Sequence, residues 1–249
     1  MLYDPEDLVV FDIETISEAP SFASLSPEWK SLWESKAGRS LLPSEPVEES
    51  YASRAAVMAE FARVICISMG YFLRDAQTGR LCFRVTSCYD HDERQLLQTF
   101  LQKLELCFQR RKSAMLAGHN IREFDVPFVC RRLLVHGIAI PSYLNFQLMK
   151  PWEIKVADSF QLWRFGDYKQ FTSLRLLAAV MRVPSPKDDI DGSLVGPLYW
   201  GTADDEARIK QLQRISAYCT KDVVATANIL LRFIQMPLVG EEDVQIADE

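Results

Sequence analysis

Apolar positions along this chain fall into short blocks of strand length, separated by stretches of helical period. Residues 8–11 are an unbroken apolar run that continues as Asp12-Ile13-Glu14-Thr15, which predicts a buried β-strand carrying two acids near its end. Residues 63–72 predict a second strand, 75–80 a turn and 81–88 a returning strand, together an antiparallel hairpin. Leu96, Leu97, Phe100, Leu101, Leu104 and Phe108 share one face of a helix expected over 90–109. A short buried strand is expected at 114–118, then a helix over 124–136 closed by Gly137. Residues 155–157 read as a strand, 159–165 as a helix, and 173–181 as a helix ending before Pro184. Residues 204–234 read as one long helix or two abutting ones, and the acidic tail 241–249 is expected to fray.

Residues 16–62 break this rhythm and read as an insertion after the first strand. Ser26 and Pro27 have the chemistry of a helix start, and Trp29, Leu32 and Trp33 then recur at helical spacing. A second helix is expected over 49–62. The insertion is either a lid beside the acids or a packed surface excursion. The order of elements predicts one α/β domain over 1–249: a mixed sheet with an antiparallel hairpin and helices on both faces.

Composition narrows the function classes. The net charge is −6, so no global basic footprint marks a nucleic-acid coat protein. An enzyme whose own site is acidic and filled by cations stays open. No apolar run approaches the roughly 20 residues that span a bilayer, and the first residues are acidic, unlike a signal peptide. Six cysteines are scattered without a C-x-x-C pair, which points to buried free thiols and a reducing, cytoplasmic setting.

The candidate chemistry begins with Asp12 and Glu14. Period two puts them on one strand face, with Cα atoms about 6–7 Å apart. Like charges there call for a shared proton, a basic partner or a hard divalent cation; simple hydration at a strand end is the alternative. Asp125 lies where a loop enters a helix, either as a capping residue or as a third acid aimed at the same sheet edge. Tyr218 and Asp222 are four apart on one helix face, either a surface pair or part of the same site. Asp158 reads as a helix cap. Lys221 reads as solvated. The runs Arg110-Arg111-Lys112 and Arg131-Arg132 read as solvated faces. His91, His119 and His136 are too dispersed for a zinc site, although His119 lies within the second motif.

Taken together, F-D-I-E-T at 11–15, N-x-x-x-F-D at 120–125 and Y-x-x-x-D at 218–222 resemble the three exonuclease motifs of the DnaQ-like DEDD superfamily. The tyrosine places the chain with the DEDDy branch, similar to the exonuclease domain of family B DNA polymerases. The segment 163–168 and the loop 184–193, with Lys187, Asp188, Asp189 and Asp191, further resemble a stand-alone bacterial group of predicted 3′–5′ exonucleases. The resemblance implies an RNase H-like fold and hydrolysis with two divalent cations, Mg²⁺ or Mn²⁺. Asp12 would be shared by both metals, Glu14 and Asp222 would complete one site, Asp125 would hold the second metal, and Tyr218 would orient the attacking water. Thr15, Asn120 and Phe124 would line the terminal nucleotide. The implied partner is a nucleic-acid 3′ end, single-stranded or frayed DNA, with 5′-mononucleotides as product. An exoribonuclease, or a catalytically silent nucleic-acid-binding relative, is the alternative. At this length no polymerase-sized extension is expected to accompany the domain.

Overall fold

The structure, a computed structural model, describes residues 2–37, 46–147, 149–150, 152–169, 171–184, 190–202 and 204–247. Six strands form one sheet: β1 (Leu8–Ser17), β2 (Ala62–Arg74), β3 (Leu81–Tyr89), β4 (Met115–Gly118), β5 (Val156–Asp158) and β6 (Val244–Ile246), in the order β5-β4-β1-β2-β3-β6. β1 runs antiparallel to β2 and parallel to β4; β2 and β3 form the predicted hairpin, and β5 is parallel to β4.

The apolar alternation of β1 is answered on both faces. Val9, Phe11 and Ile13 pack with Leu96, Leu97, Phe100 and Leu104 of α3 (Glu93–Arg110) and with Val126, Phe128 and Leu133 of α4 (Asp125–Val135). Leu8 and Val10 face the other way, onto Val223, Ala227, Leu230 and Leu231 of α8 (Asp205–Phe233). Asp12 and Glu14 continue the Leu8/Val10 row, so the pleat turns them toward α8. The C-terminal segment is a single helix of 29 residues, which settles its one-or-two ambiguity.

Helices α3 and α4 are joined by a buried ion network. Arg132 donates to Glu93 through Nε and Nη2 and to the carbonyl of Ala59, while Glu93 also accepts from the Val64 N–H. Both residues are almost fully buried, so each charge depends on the other.

Several elements differ from the sequence expectation. β1 reaches Ser17 and β2 starts at Ala62, so the segment between these strands is 18–61. Its first helix, α1 (Pro27–Ala37), starts as expected, with Ser26 accepting from the Trp29 N–H, but only Trp33 is buried; Trp29 and Leu32 are exposed. Trp33 anchors a small core with Phe22, Tyr51, Ala55 and Phe61. The second helix, expected at 49–62, is α2 (Val47–Arg54); Phe61 instead bonds the end of β1, its carbonyl accepting from the Glu18 N–H.

After β5 come α5 (Ser159–Arg164) and α6 (Leu174–Met181), close to their expected bounds. Helix α7 (Gly192–Trp200) was not expected, because Gly196 and Pro197 disfavour helix. Asp191 caps it, and burial of Val195 and Tyr199 against Ile16, Ile65, Leu212 and Ile215 outweighs that local preference. The positions of Lys187, Asp188 and Asp189 lie outside the described residues. The acidic tail does not fray as expected: Val244–Ile246 adds β6 parallel to β3, and Arg80 pairs with Glu242 and Asp243. No helix among the described residues is long and apolar enough to cross a membrane. Cys66, Cys82, Cys88, Cys107 and Cys219 are buried, Cys130 is half-buried, and none of the six is joined in a disulfide.

Candidate active site

Parallel pairing of β1 with β4 places the exit of β4 level with the acids of β1, since Val10 lies opposite Ala117. Gly118 makes the close passage possible. A Cβ there would come 2.7 Å from Cβ of Ile121 and 3.0 Å from the Phe11 carbonyl oxygen. The chain then loops through 119–124 and starts α4 at Asp125. The cap position belongs to Phe124, so the capping reading of Asp125 does not hold. Its carboxylate instead accepts from the Ile13 N–H at 3.2 Å, between the two acids of β1.

Asp158 caps α5 as expected, accepting from the N–H groups of Phe160 and Gln161. It also accepts from the N–H groups of Asn120 and Arg122, which ties the loop to β5. His119 is consumed structurally. The Thr172 carbonyl can only accept, so Nε2–H donates to it at 3.0 Å, and Nδ1 accepts from the Ser159 hydroxyl at 2.9 Å. Burial holds its pKa down to about 4, so the ring is neutral.

From the other side, α8 delivers Tyr218, Cys219 and Asp222. Tyr218 hydrogen-bonds Asp222, as their spacing implied. Burial and the surrounding carboxylates push the phenol pKa upward, so the hydroxyl keeps its proton. Thr220, on the same turn, closes a hydroxyl triangle with Ser87 at 2.7 Å and Ser68 at 3.4 Å. Ser68 is the cross-strand partner of Asp12, so this triangle sets the helix turn against the acid-bearing strand. Sequence reasoning missed it; the signal was one buried serine inside the apolar run of β2.

The electrostatics are those of neighbouring like charges. Burial raises the pKa of Asp12 well above the usual carboxylate range, and the charges of Asp125 and then Asp222 raise it further. Glu14 is raised in the same way, by burial first and then by Asp12. Burial lifts Asp125 to about 7. Among the described residues Asp12, Glu14 and Asp125 enter no salt bridge. Such a cluster requires protons or a cation.

Ligand atoms of Asp12, Glu14 and Cys219 lie within 4.8 Å of one another. We count Cys219 as a support rather than a ligand. Burial pushes its thiol pKa well up, and Sγ donates to the Asp12 carbonyl at 3.5 Å and to its carboxylate at 3.6 Å. The remaining donors are carboxylate oxygens, the set that hard divalent cations prefer. Glu14 and Asp125 are buried, Asp12 is half-buried, and none of these three carboxylates has a cationic partner among the described residues, an arrangement that suits a divalent cation.

The three residues expected around a terminal nucleotide are differently placed. The Thr15 hydroxyl donates to the Ala56 carbonyl at 2.6 Å and so holds the insertion. Phe124 is half-buried, with its ring 5.5 Å from that of Phe128. Asn120 has a left-handed backbone, φ 59°, and its buried Oδ1 has no partner among the described residues.

The strand order, the antiparallel hairpin and the two-sided helical cover are those of an RNase H-like α/β fold; the acids sit in the middle of β1, not near its end as expected, because the strand runs on to Ser17. Residues 57–243 match the family described as "Predicted 3'-5' exonuclease related to the exonuclease domain of PolB", and the chain belongs to that family. Asp125, Tyr218 and Asp222 fall inside the match, whereas Asp12 and Glu14 lie outside it and join the site through the fold. Among solved structures the chain is similar to the family B DNA polymerase from the hyperthermophilic archaeon Pyrobaculum calidifontis. The TM-score is 0.52 and the identity 16%, over 92% of this chain and 25% of the polymerase. That likeness is one of fold. No curated protein matches the sequence.

Proposed function

We propose that this chain is a 3′–5′ exonuclease that removes 5′-mononucleotides from the 3′ end of single-stranded or frayed DNA, with two divalent cations, Mg²⁺ or Mn²⁺, as cofactors. The observation that carries the reading is the convergence of Asp12, Glu14, Asp125 and Asp222 from β1, α4 and α8 on one partly buried point. Bound cations would supply charge stabilisation for an in-line displacement at phosphorus and a more acidic water.

The chain's own groups have separable tasks. Asp12 faces both Asp125 and Asp222 and is the carboxylate suited to being shared between metals. Glu14 and Asp222 lie on the α8 side with Tyr218, and Asp125 lies on the β4 side. The Tyr218 hydroxyl, its proton engaged by Asp222, orients a water by accepting a hydrogen bond from it. The Cys219 thiol fixes the Asp12 carboxylate. Asn120, with its unpartnered Oδ1, and Phe124 line the terminal nucleotide from the second loop; Thr15 acts there through the insertion it holds.

The test is digestion of 5′-labelled single-stranded DNA, duplex DNA and RNA with Mg²⁺ or Mn²⁺, for wild type and Asp12→Ala. A metal-dependent ladder from the 3′ end, lost in the variant, is expected. Activity that survives a chelator, or equal activity in the variant, overturns the reading. Faster digestion of RNA would transfer the substrate assignment to RNA and leave the site unchanged.

A further inference from the structure

We propose that Phe165, Tyr168 and Phe171 form a stacking platform for unpaired bases of a single nucleic-acid strand whose end occupies the carboxylate site. The inference rests on the exonuclease reading for the position of the strand end, but not for the platform itself.

All three rings face solvent, at 87%, 74% and 68% exposure. A lone exposed aromatic is ordinary, but three within seven residues make a patch that a folded chain normally keeps for a partner. Phe165 shows this most clearly. It ends α5 in the left-handed region at φ 45°, ψ 33°, which a bulky side chain disfavours, and burial of its ring recovers nothing.

The platform is tied to the loop that delivers Asp125. Phe171 packs on Phe160, with ring centroids 5.0 Å apart, and the next residue, Thr172, accepts the bond from His119. Arg164 pairs with Glu123 of the loop at 3.1 Å, and its guanidinium lies 4.0 Å from the Phe160 ring and 5.6 Å from that of Tyr168. Gln161 also bonds Glu123, at 2.6 Å. Since β1, β4 and β5 are parallel neighbours, the acids, the loop and α5 all emerge at one edge of the sheet. A strand leaving the carboxylates along that edge meets these rings.

The ligand chemistry follows. Aromatic faces with Lys169 among them suit bases and a neighbouring phosphate, while Arg164, held by Glu123, braces the Phe160 and Tyr168 rings from beneath. Asp167, the acid in this stretch, accepts from the Lys169 backbone N–H. Bases in a duplex already stack on each other, so the platform takes only unpaired ones, and it tolerates any base identity.

The test uses the full chain with Phe165→Ser and Tyr168→Ser combined, two rings whose exposure leaves the core intact. The probe is a 5′-fluorescein oligothymidylate of about ten nucleotides, within the site sizes usual for single-strand grooves. Anisotropy in EDTA should show binding about tenfold or more weaker, as for the loss of stacked bases, with an unchanged slope of log K against log salt. Lys169→Ala should instead lower that slope by about 0.7. Hydrolysis of the p-nitrophenyl ester of thymidine 5′-monophosphate, which reaches only the carboxylate site, should be unchanged in the double variant. Unchanged oligonucleotide affinity overturns the platform, as does an equal loss on blunt duplex. A wild-type dimer that dissociates in the double variant at unchanged affinity also overturns it, in favour of self-association. If wild type binds through these rings but cuts nothing, the exonuclease reading fails and the platform stands.

Discussion

The carboxylate of Asp125 accepts a hydrogen bond from the backbone N–H of Ile13 across 112 positions of sequence. That bond joins the start of α4 to the strand segment between Asp12 and Glu14, and it places a third acid beside two that already repel. The site is thus held by backbone and hydroxyl contacts while its charges oppose one another, and this tension makes it testable.

Asp12→Asn should separate function from stability. Hydrolysis should fall by at least about a hundredfold, the scale of losing one preorganised electrostatic group. The metal-free protein at pH 8 should melt at a higher temperature than wild type, because a charge repelled by Asp125 and Asp222 has been removed. Calorimetry with a parallel nuclease assay checks both; a variant that is both inactive and less stable would contradict the charge-opposition account.

The pH dependence of the metal-free protein has a definite sign. Asp125 is raised from 3.8 to about 7 in the folded state, so the native protein binds more protons than the unfolded chain between those values. Stability from this group is full below about pH 4 and is lost as pH rises through about 7. Asp12 and Glu14 are raised too and act in the same direction. Melting temperature should therefore fall from pH 5 to pH 8 without metal, and Mn²⁺ should restore it most at the alkaline end. A Mn²⁺ effect independent of pH would sink the coupling.

His119 has the opposite sign. Its pKa is lowered to about 4, so its contribution is complete above about pH 6.5 and is lost as pH falls toward 4. His119→Gln should cost about 1–2 kcal/mol at pH 7.5, for one or two lost hydrogen bonds, and less at pH 5. Urea midpoints at the two pH values measure this.

Thr220→Val should act through position. It removes the 2.7 Å bond to Ser87 and frees the turn that carries Tyr218 and Asp222. Turnover should drop about tenfold, from a sub-ångström misplacement of reacting groups, while Thr220→Ser should keep near wild-type turnover. Equal defects in both variants would mean that packing of the methyl group, not the hydroxyl, sets the turn.

Arg132→Met should leave Glu93 buried without its main partner and cost about 3–5 kcal/mol. Adding Glu93→Leu should recover part of the loss, because the orphaned charge goes with it. Denaturant midpoints of the single and double variants decide this, and a double variant less stable than the single one would refute the argument.

The sequence by itself determined whatever depends on neighbours along the chain. Period two in β1 put Asp12 and Glu14 on one face, spacing of four put Tyr218 beside Asp222, and the chemistry of Ser26 and Pro27 started α1 where expected. Only the tertiary structure decided which of two local readings applied to Asp125. A capping acid and an acid turned against the neighbouring strand look the same until the strand order β5-β4-β1 brings the loop after β4 against Ile13. The same holds for α7, where burial against Ile16 and Ile65 overrides glycine and proline, and for β6, which forms because β3 offers a free edge and Arg80 meets the acidic tail. Cys219 and the Ser68–Ser87–Thr220 triangle became visible only when α8 crossed the sheet. The physical reason is one of range. Periodicity reports which face a residue occupies, while convergence of charge depends on pairings between distant segments, which only the packed sheet and its helices determine.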